Sequence, residues 1–159
     1  MHIDTLFTRI DAERCLIYPP LVTDPGRLGA QVHRFTPGGG HERLGPSLLS
    51  ALATHGIRLE PVFCGGNDPI HQAREQWSDG ANAFALAPGI IITYGRNRRT
   101  LRQLNRVGYE VLSPERFVDN AIFYIHHDHH IAVALHGHEL VRGRGGPRCL
   151  TLPLRRKAT

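Results

Sequence analysis

The order strand, strand, helix, strand can be read twice along this chain, and that repetition constrains its fold more than any other feature. In the first copy, residues 3–10 and 15–18 read as short strands around the turn Asp11-Ala12-Glu13-Arg14. A loop rich in Pro and Gly follows, interrupted by a candidate strand at 31–35. Residues 44–55 carry Leu48, Leu49 and Leu52 at helical spacing, with Pro46 suited to a first turn and Gly56 to a C-terminal stop. Residues 57–63 return as a strand. In the second copy, strands at 83–87 and 90–94 flank the turn Pro88-Gly89. A helix over 98–107, with Leu101 and Leu104 on one face, ends at Gly108 and leads to a strand at 109–112. The two copies recur at roughly 75–80 residues, which argues for a modular α/β architecture. Between them, 69–77 reads as a short extra helix. After them, 121–125 and 131–135 are predicted to form a hairpin, and 149–154 a final strand. A single domain over 1–154, followed by a basic tail at 155–159, is the expected organisation.

Composition narrows the function classes. Hydrophobic residues make up 41% and charged residues 21%, ordinary values for a soluble globular protein. No apolar run approaches the roughly 20 residues of a membrane span, so no membrane partner is expected. Residues 1–20 carry Asp4, Arg9, Asp11, Glu13 and Arg14, which does not fit a signal peptide. Cys15, Cys64 and Cys149 are odd in number and lack a CxxC pair, which suits free thiols in a reducing compartment and a cytoplasmic location. The net charge of +5 rests largely on Arg96, Arg98, Arg99, Arg102 and Arg106 and on the stretch 142–157. Few aromatics interleave with these cations, so a solvated basic face is expected rather than a nucleic-acid surface.

The chemistry-bearing residues lie at the two ends. Near the C-terminus, Glu139-Leu-Val-Arg-Gly-Arg-Gly-Gly-Pro-Arg-Cys149 is a glycine-rich, arginine-flanked approach to one cysteine. Neighbouring cations favour the reactive thiolate, and glycines let backbone approach a ligand. At the other end, His2 and Asp4 would share a face if residues 3–10 form a strand. Together these form a candidate Cys/His/Asp set. On the residues alone, Cys149 also fits a packed core thiol and Asp4 a surface ion pair. His126-His-Asp-His-His130, with His136 and His138, offers metal-competent side chains. At the tip of a predicted hairpin these would face water, and no metal is expected. Cys15 and Cys64 read as small buried residues at strand ends, and Trp77 as core.

Three blocks carry a resemblance to a known family: Met1-His-Ile-Asp-Thr-Leu-Phe-Thr8; Cys64-Gly-Gly-Asn-Asp68 running through Arg74-Glu-Gln-Trp-Ser-Asp-Gly-Ala-Asn82 to Ala87-Pro-Gly89 and Tyr94-Gly-Arg-Asn97; and Glu139 to Cys149. In order and spacing the chain resembles the C-terminal part of arginine deiminase, of the guanidine-modifying (pentein) superfamily. The resemblance implies a partial α/β propeller: about two strand-strand-helix-strand modules, a terminal hairpin and a strand, or about two-fifths of the family's five-fold fold. It implies hydrolysis of L-arginine to L-citrulline and ammonia through a covalent cysteine thiouronium. Cys149 would be the nucleophile, His2 the general acid and base, and Asp4 the guanidinium-binding carboxylate. Gly143 and Arg144 would belong to the loop over the substrate, and Asp79, Gly80 and Asn82 would brace the site. No metal or organic cofactor is implied. A further aspartate and a catalytic glutamate of the family have no counterpart here. A homo-oligomer or a complementary N-terminal chain is therefore expected to complete the site. The other readings are a non-catalytic module that binds arginine or a partner, and an amidinotransferase-type reaction on another guanidine.

Overall fold

The computed structural model describes residues 2–23, 28, 30–143, 145–152 and 154. Its strands are β1 (Phe7–Arg9), β2 (Arg14–Ile17), β3 (Val32–Thr36), β4 (Gly40–Leu44), β5 (Glu60–Phe63), β6 (Phe84–Ala87), β7 (Ile90–Tyr94), β8 (Glu110–Leu112) and β9 (Ile131–Leu135). Its helices are α1 (Pro19–Val22), α2 (Leu48–Thr54), α3 (Pro69–Trp77), α4 (Arg98–Arg106), α5 (Pro114–Asp119) and α6 (Ala121–His126), with 3-10 turns at Ile3–Thr5 and Leu140–Gly143.

Local chemistry explains where these elements start and stop. The Asp11 carboxylate accepts the backbone N–H groups of Glu13 (2.7 Å) and Arg14 (2.5 Å), folding the turn that pairs β1 with β2. Ser47 caps α2 in a reciprocal pair with Ser50, so the helix begins at Leu48 and the preceding residues are free to form β4. The helix predicted from residue 44 therefore starts later, and Pro46 lies ahead of it. Asp68 accepts from the Ile70 N–H and Pro69 occupies the first turn of α3, whose bounds match the predicted 69–77.

Two mixed sheets repeat one arrangement. In the first, β2 lies between antiparallel β1 and parallel β5. In the second, the order is β6-β7-β9-β8, with β6 antiparallel to β7 and β9 parallel to both β7 and β8. Thus β9 takes beside β7 the place that β5 takes beside β2, and β8 extends the sheet outward. Among the described residues no sheet closes into a barrel. One apolar core joins the sheets: Ile10, Leu16 and Val62 pack with Ile91 and Ala132, and Leu104 of α4 seals the cluster. A backbone hydrogen bond from Gly89 N–H to the Ile10 carbonyl (3.0 Å) crosses the same boundary.

Several expectations are corrected. Residues 121–125 form α6 and not a hairpin arm; strand β9 is real, but it pairs in parallel, and a parallel connection needs a crossover such as α5 and α6 supply. The 149–154 stretch is no strand among its described residues; a Thr151 N–H bond to the Arg148 carbonyl (3.1 Å) closes a turn instead. Residues 3–10 open with a 3-10 turn because the Thr5 N–H and hydroxyl both bond the His2 carbonyl, and β1 begins only at Phe7. Trp77 is 63% exposed at the end of α3 and not in the core. The tail at 155–159 lies outside the described residues.

Candidate active site

The 3-10 turn and the turn around Cys149 face each other across an open cleft of about 380 Å³. His2, Asp4, Phe84, Arg148, Cys149, Thr151 and Leu152 line it. His2 and Asp4 reach the cleft from a 3-10 turn, not from one face of a strand. Both are held by threonines: Thr5 bonds the His2 carbonyl (2.8 Å) and Thr8 the Asp4 carbonyl (3.2 Å). The Cys149 sulfur lies 4.0 Å from Asp4 Oδ1. Gly143 ends the second 3-10 turn, is exposed and is not one of the cleft-lining residues, and Arg144 lies outside the described residues.

The chain from α3 to β6 is shaped to deliver Asn82 against this turn. Helix α3 ends with the Asp79 N–H on the Gln76 carbonyl (3.0 Å) and the Gly80 N–H on the Glu75 carbonyl (2.7 Å). Asp79 stands in the left-handed region at φ 57°, which a short polar side chain tolerates better than most. A side chain at position 80 would collide with the Cys64 sulfur, so glycine is needed there. Asn82 follows with no exposed surface. Its carboxamide oxygen accepts the Arg148 N–H (3.0 Å) and its Nδ2 donates to the Cys149 sulfur (3.2 Å). A second clamp comes from β7, where the buried Tyr94 hydroxyl donates to the Gly145 carbonyl (2.9 Å).

Electrostatics separate the three thiols. Burial pushes Cys15 up to about 12, with the Asp11 carboxylate adding to the effect, and pushes Cys64 up to about 12 as well. Neither supplies thiolate at neutral pH, whereas Cys149 is exposed in the cleft. One contact was not legible in the sequence: Arg148 Nε sits 3.3 Å from Asp4 Oδ2, so an internal guanidinium occupies the carboxylate in this state. Phe84, Thr151 and Leu152 were likewise not anticipated in the lining.

The histidine-rich stretch lies elsewhere. His127 and His129 pack their rings on Phe123 of α6 (4.4 and 5.1 Å between centroids), and His130 meets the edge of Tyr109 (5.2 Å). The stretch is a helix end running into β9 and not a hairpin tip. Among the described residues, no group of three or more His, Cys, Asp or Glu side chains is arranged to hold a metal ion. No helix among them is long and apolar enough to cross a membrane.

Comparison with known proteins bears on the same residues. The family model described as arginine deiminase matches residues 1–156. An arginine deiminase of Bacillus cereus (strain B4264) is 36% identical over 163 aligned positions, covering 99% of this chain and 34% of that protein. Arginine deiminases of Latilactobacillus sakei and Mycoplasma capricolum are each 34% identical, covering 100% and 99% of this chain and 34% and 33% of their own lengths. The chain thus spans about a third of the length of these curated relatives. With a family model matched along almost its whole length, the chain belongs to the arginine deiminase family.

Proposed function

We propose that this chain carries the nucleophile half of a guanidine-hydrolysing site whose substrate is L-arginine and whose products are L-citrulline and ammonia. The observation that supports this best is the meeting of Cys149, Asp4 and His2 in one cleft, built from segments at opposite ends of the chain. In this reading the Asp4 carboxylate holds the planar substrate cation by charge-assisted hydrogen bonds. With the cation held, the Cys149 thiolate attacks the guanidinium carbon and forms a C–S bond. His2 donates a proton to one amino group, the C–N bond breaks, and ammonia leaves behind a thiouronium. Water then gives its proton to His2 and its oxygen to the same carbon. The C–S bond breaks with its electron pair returning to sulfur, the hydroxyl proton passes to solvent as the urea carbonyl forms, and citrulline departs. No cofactor enters this scheme.

The family's other carboxylates are proposed to come from outside this chain, from a second copy or from a complementary chain. A reaction in the cytoplasm suits the free thiols. A second reading has its own observation. Because Arg148 already pairs with Asp4, the cleft as it stands is suited to holding its own guanidinium, and a binding module without turnover would look the same.

The deciding assay measures citrulline and ammonia from L-arginine over a series of chain concentrations, with Cys149→Ala alongside. Turnover that disappears in the variant supports hydrolysis. Turnover that survives it rules out Cys149 as nucleophile, and none at any concentration moves the chain to the second reading or to dependence on a complementary chain.

A further inference from the structure

We propose that Asn82 is the positioning residue for the Cys149 sulfur, a role resting on the reading of Cys149 as nucleophile. The carboxamide does two things at once. Its oxygen must face the Arg148 N–H, because a backbone donor 3.0 Å away can only be met by an acceptor. That fixes the orientation of the group, so the NH2 end necessarily faces the sulfur at 3.2 Å. One side chain therefore ties down the backbone just before the nucleophile and the nucleophilic atom itself.

The surroundings make the clamp rigid. Asn82 itself is fully buried, so its carboxamide meets the exposed Cys149 from the protein side. Gly146 lies so close that any Cβ there would overlap the Asn82 carboxamide, which explains the need for glycine at that point of the approach. Upstream, the α3 cap places Asn82 by hydrogen bonds and a left-handed Asp79, and its own N–H bonds the Asp79 carbonyl at 3.0 Å. The Asp4 carboxylate also approaches the sulfur, at 4.0 Å. A donor on the sulfur offsets the carboxylate's repulsion of a thiolate and stops the sulfur from rotating out of the cleft. Aspartate at position 82 would keep the shape and the bond to Arg148 but turn a lone pair and a negative charge toward the sulfur.

The test compares Asn82→Asp with the unsubstituted chain by the second-order rate of Cys149 alkylation by iodoacetamide at one neutral pH. Melting curves serve as the fold control. At least a tenfold slower reaction in a folded variant is expected. An unchanged rate in a folded variant overturns the proposal, because a merely structural asparagine would not alter sulfur reactivity. Should the aspartate variant not fold, Asn82→Ala is read the same way. A measurement on the unsubstituted chain stands beside both: the Asn82 side-chain amide resonances should move as Cys149 titrates, and a pair that stays still overturns the assignment. Slowed alkylation without citrulline at any chain concentration would leave the Asn82 assignment intact and move the chain to the second reading or to dependence on a complementary chain. Citrulline production with unchanged alkylation would support hydrolysis and overturn the Asn82 assignment.

Discussion

Asp4 is contested by two guanidinium groups, one from Arg148 and one from the proposed substrate. The Arg148–Asp4 pair is half exposed on the arginine side, and such pairs are worth about 0–1 kcal/mol. Arg148→Gln should therefore lower the arginine concentration for half-saturation by at most about fivefold, read from citrulline kinetics or from equilibrium arginine binding; a weaker grip on arginine would show that Arg148 serves the ligand instead. The thiols give a second prediction at this scale. Brief iodoacetamide treatment of the folded chain at neutral pH should tag Cys149 and spare Cys15 and Cys64, whose burial holds them protonated. Peptide mass mapping reads the result, and early labelling of Cys64 would contradict it. That His2, Asp4 and Cys149 meet in one cleft was legible from the motifs at the two ends of the sequence, whereas the place of Phe84, Thr151 and Leu152 in its lining was not. Nor was the way these side chains touch. The Arg148–Asp4 and Asn82–Cys149 contacts depend on a turn at 147–150, whose second half overlaps the strand expected at 149–154.

Elements of this fold are joined by buried polar groups as much as by apolar packing. Asp11, in the β1–β2 turn, accepts from the Tyr109 hydroxyl (2.8 Å) beside β8, and Arg14 Nη1 approaches it at 3.2 Å. Burial by itself would raise this carboxyl. The hydrogen bonds from Tyr109, from the Glu13 and Arg14 N–H groups and from the Arg14 guanidinium outweigh it and hold the group below its ordinary value. A depressed carboxyl stabilises the fold above its unfolded titration range and loses that contribution as pH falls through the folded value. The unsubstituted chain should thus lose melting temperature on acidification more steeply than Asp11→Asn, whose curve lacks this component; parallel curves would contradict the account. Helix α4 depends on a carboxylate from α3: Glu75 accepts from the Arg99 N–H (2.9 Å), the Thr100 N–H (2.8 Å) and the Thr100 hydroxyl (2.7 Å). Glu75→Ala removes this cap at a cost of about 1 kcal/mol, or about 2–4 °C in melting temperature for a chain of this size. The repeated strand-strand-helix-strand order was readable because tight turns and helix periodicity are local. The identity of 121–125 was not. A five-residue apolar run fits a strand or a helix equally, and only the parallel pairing of β9 decides for helix.

At the scale of the molecule, the chain is about a third of its relatives' length and its surface shows apolar faces in keeping with that. Val118 and Ile122 on α5 and α6 are 70% and 77% exposed, with Phe123 and Ile125 beside them. Beside the cleft, Leu152 is 80% exposed. Patches of this kind on soluble proteins mark interaction sites. Under the proposed function the purified chain should self-associate, with light scattering after gel filtration giving a mass above one chain and Ile122→Lys shifting it toward one. A monomer at all concentrations would favour the complementary chain as the source of the missing carboxylates. The central claim concerns the cleft itself: Asp4 draws in a planar cation and Cys149 reacts with it. The most direct measurement is intact-mass and peptide mapping of the chain after treatment with chloroacetamidine, set against neutral chloroacetamide, whose chloromethyl group is the same but whose charge is not. The account predicts a single adduct on Cys149, formed faster by the cation and slowed toward the neutral rate in Asp4→Asn. Equal rates for the two reagents, or an adduct on another residue, would contradict it.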